Sequence, residues 1–278
     1  MRDRKPVVLQ QFANECFKDH RVLLKVWNNI MWYKKNYRAM HKAERIASEG
    51  PEQTKEISRL FRVPESKIYE ISDGIEYDKI SKFCSSDPMV QRIALNIQRE
   101  EMIFITVSRL SSNKRIHWII EAFYRFKKEQ KNSQLIIVGA GPQKKRLMQL
   151  IHFFKLTDKI KCFENISDER LFSLLSLSDI YINASAQQGL LISVLNAMGA
   201  GLPVVSVDSQ EGLVRDFVTG LKVQASIKGL TEGMFSLAQS DKLHSMGENA
   251  KTLARDHDWN IIAKKAIECY QQLLIGKK

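Results

Sequence analysis

The chain has 278 residues, and 43 Lys and Arg against 31 Asp and Glu leave it at +12. That length suits one large domain or two small ones, and 44% hydrophobic and 27% charged residues with only 13 Gly and 6 Pro exclude disordered, collagenous and low-complexity chains. Cys16, Cys84, Cys162 and Cys269 are far apart and form no C-x-x-C or Cys/His cluster, so neither a structural zinc site nor a disulfide framework is expected, and a reducing cytosol is the default compartment.

At the N-terminus only Val7, Val8 and Leu9 are apolar in a row before polar residues return, which is too short for a signal peptide. Residues 1–50 hold eleven Lys and Arg against five Asp and Glu, half of the net excess. Within them Val22, Leu23, Val26, Ile30 and Tyr33 fall at helical spacing, with Lys25, Lys34, Lys35 and Arg38 interleaved, so a basic amphipathic helix is predicted. Such a helix suits an anionic membrane, another protein, or a core-facing position with its basic side in solvent. No helix-turn-helix, zinc or RNP-like motif accompanies the charge, so no nucleic-acid partner is expected. His20 lies in the same segment without the positioned partner that acid–base catalysis needs.

Residues 43–100 carry turn signals at Glu49-Gly50-Pro51 and Ser72-Asp73-Gly74, with a helix predicted over Glu52–Phe61 and a short strand over Lys67–Ile71 between them. Asp78–Asn96 reads as helical or irregular. From about residue 101 short apolar runs alternate with amphipathic stretches: Ile103–Val107 then Arg115–Lys128, Leu135–Val138 then Gln143–Phe154, Ile160–Phe163 then Asp168–Leu177. The alternation continues through Ile180–Asn183, a helix near Leu190–Met198, Pro203–Val207 and a short helix near Glu211–Phe217. Helices over Ile227–Gln239, Lys242–Arg255 and Trp259–Leu274 close the chain. Strands that are apolar throughout and separated by helices predict a doubly wound α/β fold, a parallel sheet covered on both faces.

From Ile180 to Val207 no residue is charged, a run longer than a membrane span requires. Asn183, Ser185, Gln187, Gln188, Ser193 and Asn196 interrupt it, and Gly199, Gly201 and Pro203 break its second half, so it reads as buried strands and a helix rather than a span.

In such folds ligands lie at the carboxyl ends of strands, where glycine turns and helix starts offer N–H groups to anions. Arg109 and Lys114 follow the first of these strands, and two cations there suit a diphosphate. Gly139-Ala-Gly141-Pro142 follows the second; it is G-x-G-P rather than G-x-G-x-x-G, so a tight turn is expected instead of a dinucleotide fingerprint. The third end runs Asn183-Ala-Ser-Ala-Gln-Gln-Gly189-Leu-Leu-Ile-Ser-Val-Leu-Asn196-Ala-Met-Gly-Ala-Gly201-Leu-Pro203. With the Arg/Lys pair, Ser178-Asp179-Ile180 before it and Val218-Thr-Gly220-Leu after it, this series resembles the donor-nucleotide domain of retaining GT-B glycosyltransferases of the family 4, or group 1, type. Ala43–Ser48, Lys67–Ile75 and Asp258-Trp259 also look like the family's pre-hinge strand, hinge segment and closing helix.

The resemblance implies a glycosyltransferase of polysaccharide biosynthesis, transferring a sugar with retention from a nucleotide diphosphate-sugar to a glycan or lipid-linked acceptor. It implies that Arg109, Lys114, Gly189, Leu190 and Leu191 bind the donor diphosphate. The family's E-x7-E pair falls on Gln188, a catalytic position, and on Asn196, which takes the nucleotide ribose; both acids are amides here. A further family glutamate falls at Gly212, with Glu211 one residue early. No cofactor and no metal are expected. Asp256-His257-Asp258 spells the D-x-D of another glycosyltransferase fold, but its place before the last helix reads as an N-cap.

The expected organisation is a basic N-terminal remnant over 1–43, a connector over 44–100, and a donor-nucleotide domain over 101–278. A GT-B enzyme has a second domain, for acceptor binding, that this length does not accommodate. An impaired nucleotide-binding or assembly subunit, or a truncated remnant, is therefore the alternative to an enzyme. The expected location is cytoplasmic, with 1–43 touching the inner membrane face or a partner subunit.

Overall fold

The computed structural model describes residues 8–10, 34–84, 87–185, 192–207 and 213–275. The chain forms two compact units, one from residues 1–73 and 260–278 and a larger one from Gly74 to Trp259. Of the segment expected as a connector, residues 44–73 belong to the first unit and 74–100 to the second. No helix among the described residues is long and apolar enough to cross a membrane.

The smaller unit holds a parallel sheet of β1 (Val8–Gln10), β2 (Arg45–Ser48) and β3 (Ile68–Glu70), in that order. Helix α1 spans residues 34–42 and α2 spans Pro51–Phe61. Met40, Ala43, Ile46, Ile57, Phe61, Val63 and Ile68 form their common core. Pro51 opens α2, where its missing N–H is not needed, and Arg62 ends it in the left-handed conformation at φ 52°. Most of the predicted N-terminal helix, with His20, lies outside the described residues; its last predicted cations, Lys34, Lys35 and Arg38, are on α1.

In the larger unit, α3 (Tyr77–Cys84) and α4 (Pro88–Ala94) precede a regular alternation: β4 (Met102–Val107), α5 (Ile116–Glu129), β5 (Ser133–Val138), α6 (Lys144–Phe153), β6 (Ile160–Phe163) and α7 (Asp168–Ser176). It continues with β7 (Ile180–Asn183), α8 (Ile192–Gly199), β8 (Val204–Val207), β9 (Gly220–Val223), α9 (Ile227–Ala238) and α10 (Leu243–Arg255). The last helix, α11 (Trp259–Ile275), runs into the smaller unit from Asn260.

All six strands are parallel, in the order β6-β5-β4-β7-β8-β9. Side chains alternate across the sheet. Phe104, Leu135, Ile137, Ile180, Ile182, Val205 and Val207 pack under α5, α6 and α9, with Phe123, Phe126, Leu147 and Met234. Ile103, Ile105, Ile136, Val138, Tyr181 and Val204 face the other way onto α7, α8 and α10, with Phe172, Val194, Met198 and Ala250. Burial on both faces is why these strands read as apolar throughout. Where it is described, the uncharged run from Ile180 is two buried strands and the largely buried helix α8.

The predicted helix over Glu211–Phe217 is corrected where it is described: residues 213–217 form an irregular turn segment in which Asp216 bridges to Gly220. The Thr219 hydroxyl donates to the Leu213 carbonyl at 2.7 Å and accepts from the Arg215 N–H at 2.8 Å, and Phe217 has a φ of 56°, a conformation no helix continues through. Glu211 and Gly212 lie outside the described residues.

Candidate functional site

The strand order places β4 beside β7, where chain progression across the sheet reverses. At such a reversal the loops leaving the two carboxyl ends diverge to opposite faces and open a crevice. The loops concerned are 108–115 after β4 and the segment from Ala184 after β7.

The first loop is set by its neighbour after β5. Ser108 donates its backbone N–H to Val138, Leu110 donates to Ala140, and Gln143 donates back to Leu110, at 2.9–3.0 Å. The approach is close enough that only glycine fits: a Cβ at Gly139, where φ is +145°, would lie 1.9 Å from the Ser108 carbonyl oxygen, and one at Gly141 would lie 2.5 Å from that of Leu110. The Gly139-Ala-Gly141 turn thus holds the backbone on both sides of Arg109, whose side chain is exposed.

Beyond Arg109, a 3-10 turn over Ser112–Lys114 leads to Arg115, which enters α5 with a left-handed φ of 50° and lays its guanidinium over the Trp118 ring at 4.4 Å. Lys114 is thereby turned toward β7, where its Nζ lies 3.4 Å from the Ser185 hydroxyl. Burial pushes the Lys114 amine below its ordinary range.

The β7 side is held by polar groups inside the fold. Asn183 donates from Nδ2 to the Ser206 hydroxyl at 2.9 Å and accepts the Ser185 N–H at 3.2 Å, and all three residues are buried. Tyr181 crosses to the other strand: its hydroxyl donates to the Val107 carbonyl at 3.0 Å and shares a side-chain hydrogen bond with Ser193 on α8. Burial pushes its pKa up to about 12, against the pull of these bonds. Asn196 is half-buried on the same helix, three residues after Ser193 and so on a neighbouring part of its surface.

The structure therefore brings Lys114 and Ser185 together across the two strand ends, with Arg109 on the Lys114 loop and Ser193 and Asn196 on α8. Gln188, Gly189, Leu190 and Leu191 lie outside the described residues. Tyr181 and Asn183 are the positioning groups that pattern reading missed, because both sit within a strand whose signal is its hydrophobicity.

At the opposite ends of the strands Asp179 has a structural position. Its carboxylate accepts both Arg92 Nη2 contacts, at 2.9 and 3.0 Å, and the Ile103 N–H at 2.6 Å, fixing the starts of β4 and β7 together. Asp258 accepts the N–H of Tyr77 at 3.1 Å and so serves the first turn of α3, distant in sequence from the helix it precedes. Among the described residues no three His, Cys, Asp or Glu side chains are grouped to hold a metal ion.

This fold is that of the doubly wound α/β class. The family model for glycosyl transferases group 1 matches residues 90–253, more than half of the chain, and the chain belongs to that family. It is 24% identical over 254 residues to an alpha-monoglucosyldiacylglycerol synthase of Acholeplasma laidlawii, covering 85% of this chain and 64% of that protein. Its fold is similar to a glycosyltransferase of Rickettsia africae (TM-score 0.75, 20% identity, 88% of this chain and 67% of the other) and to HepE of Anabaena in complex with UDP-glucose (TM-score 0.77, 18% identity, 96% and 72%). The chain spans about half to two thirds of the length of the curated relatives it matches, from 53% to 64% for the first three.

Proposed function

We propose that the crevice between the β4 and β7 loops binds a nucleotide diphosphate-sugar, and that the chain acts as a retaining glycosyltransferase of the family 4 type toward a glycan or lipid-linked acceptor. The observation that carries this reading is the meeting of Lys114 and Ser185 across the switch point, with Arg109 on the same loop. A diphosphate entering there meets an exposed guanidinium able to bind two oxygens at once and a half-buried ammonium. Both stabilise the negative charge that builds on the departing nucleotide as the sugar–oxygen bond breaks, the type of electrostatic help that enzymes rely on most. Asn196 offers an amide to ribose hydroxyls, and Gln188 one to a sugar hydroxyl, though without a carboxylate's charge.

The test is calorimetric titration against UDP, GDP and ADP, followed by incubation with UDP- and GDP-sugars and candidate acceptors. Arg109→Ala and Lys114→Ala should each weaken nucleotide binding by about 1.5–3 kcal/mol, the value of a charged hydrogen bond. Unchanged affinity in both removes the diphosphate assignment.

A second reading is a nucleotide-binding or assembly subunit that needs another chain for turnover. It is favoured by the amides at Gln188 and Asn196. Nucleotide binding without transfer by the chain alone, restored by a partner recovered with it, would select that reading. Residues 1–43, with their basic excess, are the segment proposed to meet such a partner or the cytoplasmic face of a membrane.

A further inference from the structure

We infer that the smaller unit holds a second anion site, for a phosphate group, in the hollow lined by Lys34, Tyr37, Arg38 and Arg62. The hollow encloses about 460 Å³. Residues 34–42 contain Lys34, Lys35, Arg38 and Lys42 and no acid. Lys34 and Arg38 are four apart on α1 and so share a face, with Tyr37 beside them, while Arg62 arrives from the end of α2.

Two features of these cations bear on an anion. First, none of Lys34, Arg38 and Arg62 forms an ion pair with a carboxylate among the described residues. Like charges gathered around one hollow repel each other, and an anion between them reverses the sign of that term. Second, Arg62 occupies the left-handed position that ends α2, at φ 52°. Glycine is the usual residue there because a Cβ is penalised in that conformation. The chain instead keeps a guanidinium there, on the rim of the hollow. Two guanidinium forks and an ammonium match the several acceptor oxygens of a phosphate monoester or diester.

The source of the phosphate is either a soluble compound or a lipid headgroup, and the experiment separates them. The whole chain, with the crevice occupied by saturating UDP, is titrated with inorganic phosphate and glycerol 3-phosphate, and is sedimented with phosphatidylglycerol vesicles beside phosphatidylcholine vesicles. Binding of the soluble phosphates assigns a free ligand; binding to phosphatidylglycerol vesicles alone assigns a headgroup. In either case Arg62→Gly and Arg38→Gln should each weaken binding by at least about tenfold, the loss expected for a charged hydrogen bond. Arg62→Gly also relieves the left-handed strain, so its thermal stability reports whether the fold is intact. An Arg62 serving only the dipole of α2 would leave phosphate binding unchanged on substitution. That result in both variants, or no binding to any of the probes, overturns the inference.

Discussion

The hydroxyl of Tyr181, in β7, donates a hydrogen bond of 3.0 Å to the carbonyl of Val107, the last residue of β4. The phenol is fully buried and held up to about 12, so it stays protonated and remains a donor throughout the working pH range. The bond links the strand end that launches the Arg109 loop to the helix that carries Asn196, through Ser193. Tyr181→Phe keeps the ring and removes the bond. It should cost about 1–3 kcal/mol in denaturant unfolding, the value of leaving a buried acceptor unpaired. Nucleotide affinity measured well below the unfolding midpoint should also fall, because the crevice walls lose their tie. A loss of stability with unchanged affinity would mean that Tyr181 only packs the core.

Two glycines with left-handed backbone among the described loop residues of the larger unit, Gly139 and Gly201, predict a graded pair of effects. At Gly139 an added Cβ meets the Ser108 carbonyl oxygen at 1.9 Å; at Gly201, with φ +85°, it meets nothing within 4 Å. Gly201→Ala should therefore cost only the backbone penalty, about 1–2 kcal/mol. Gly139→Ala adds a clash that moves residues 108–110, so it should cost more and weaken nucleotide binding as well. Paired unfolding and titration curves for the two variants check both statements.

Most of the larger unit was legible because its strands are buried on both faces and its helices on one. Ile180–Asn183 shows this most directly, since all four residues are buried and the run coincides with the strand limits. The failures have physical reasons. β1 and β9 are short edge strands; Gly220–Val223 alternates rather than running apolar, and Val8–Gln10 has too few residues for a period to show. Residues 213–217 have helical composition, but side-chain bonds of Thr219 hold them in turns. In the crevice, Arg109 and Lys114 were visible as cations after a strand. The contacts that position them depend on Gly139, Tyr181, Asn183 and Ser185 meeting across the sheet, which no local pattern encodes.

The Arg92–Asp179 pair gives a prediction about stability alone. Arg92 is buried and donates to the carbonyls of Leu177, Arg99 and Glu101 at 3.0–3.1 Å as well as to Asp179. Arg92→Leu leaves those carbonyls and a largely buried carboxylate without their partner, a change that costs about 3–5 kcal/mol when a buried pair is broken. The site lies at the strand ends opposite the crevice, so nucleotide affinity of the folded fraction should be retained. Thermal unfolding with and without UDP separates the two quantities.

Lys114 predicts opposite pH trends for binding and for stability. Burial lowers its folded-state pKa beneath the ordinary 10.5, so the unfolded chain holds its proton more tightly. Between the lowered value and 10.5 the unfolded state binds more protons, and this residue's contribution to stability rises with pH. A diphosphate needs the ammonium form, so nucleotide affinity falls through the same window. Lys114→Arg keeps its charge at all these values and should show neither trend, although a guanidinium in the space of an ammonium lowers the starting affinity. Subtracting the variant's curves from those of the parent chain removes the titration of tyrosines, other lysines and the nucleotide base. A difference that stays flat up to pH 10.5 in both measurements would take Lys114 out of the phosphate site.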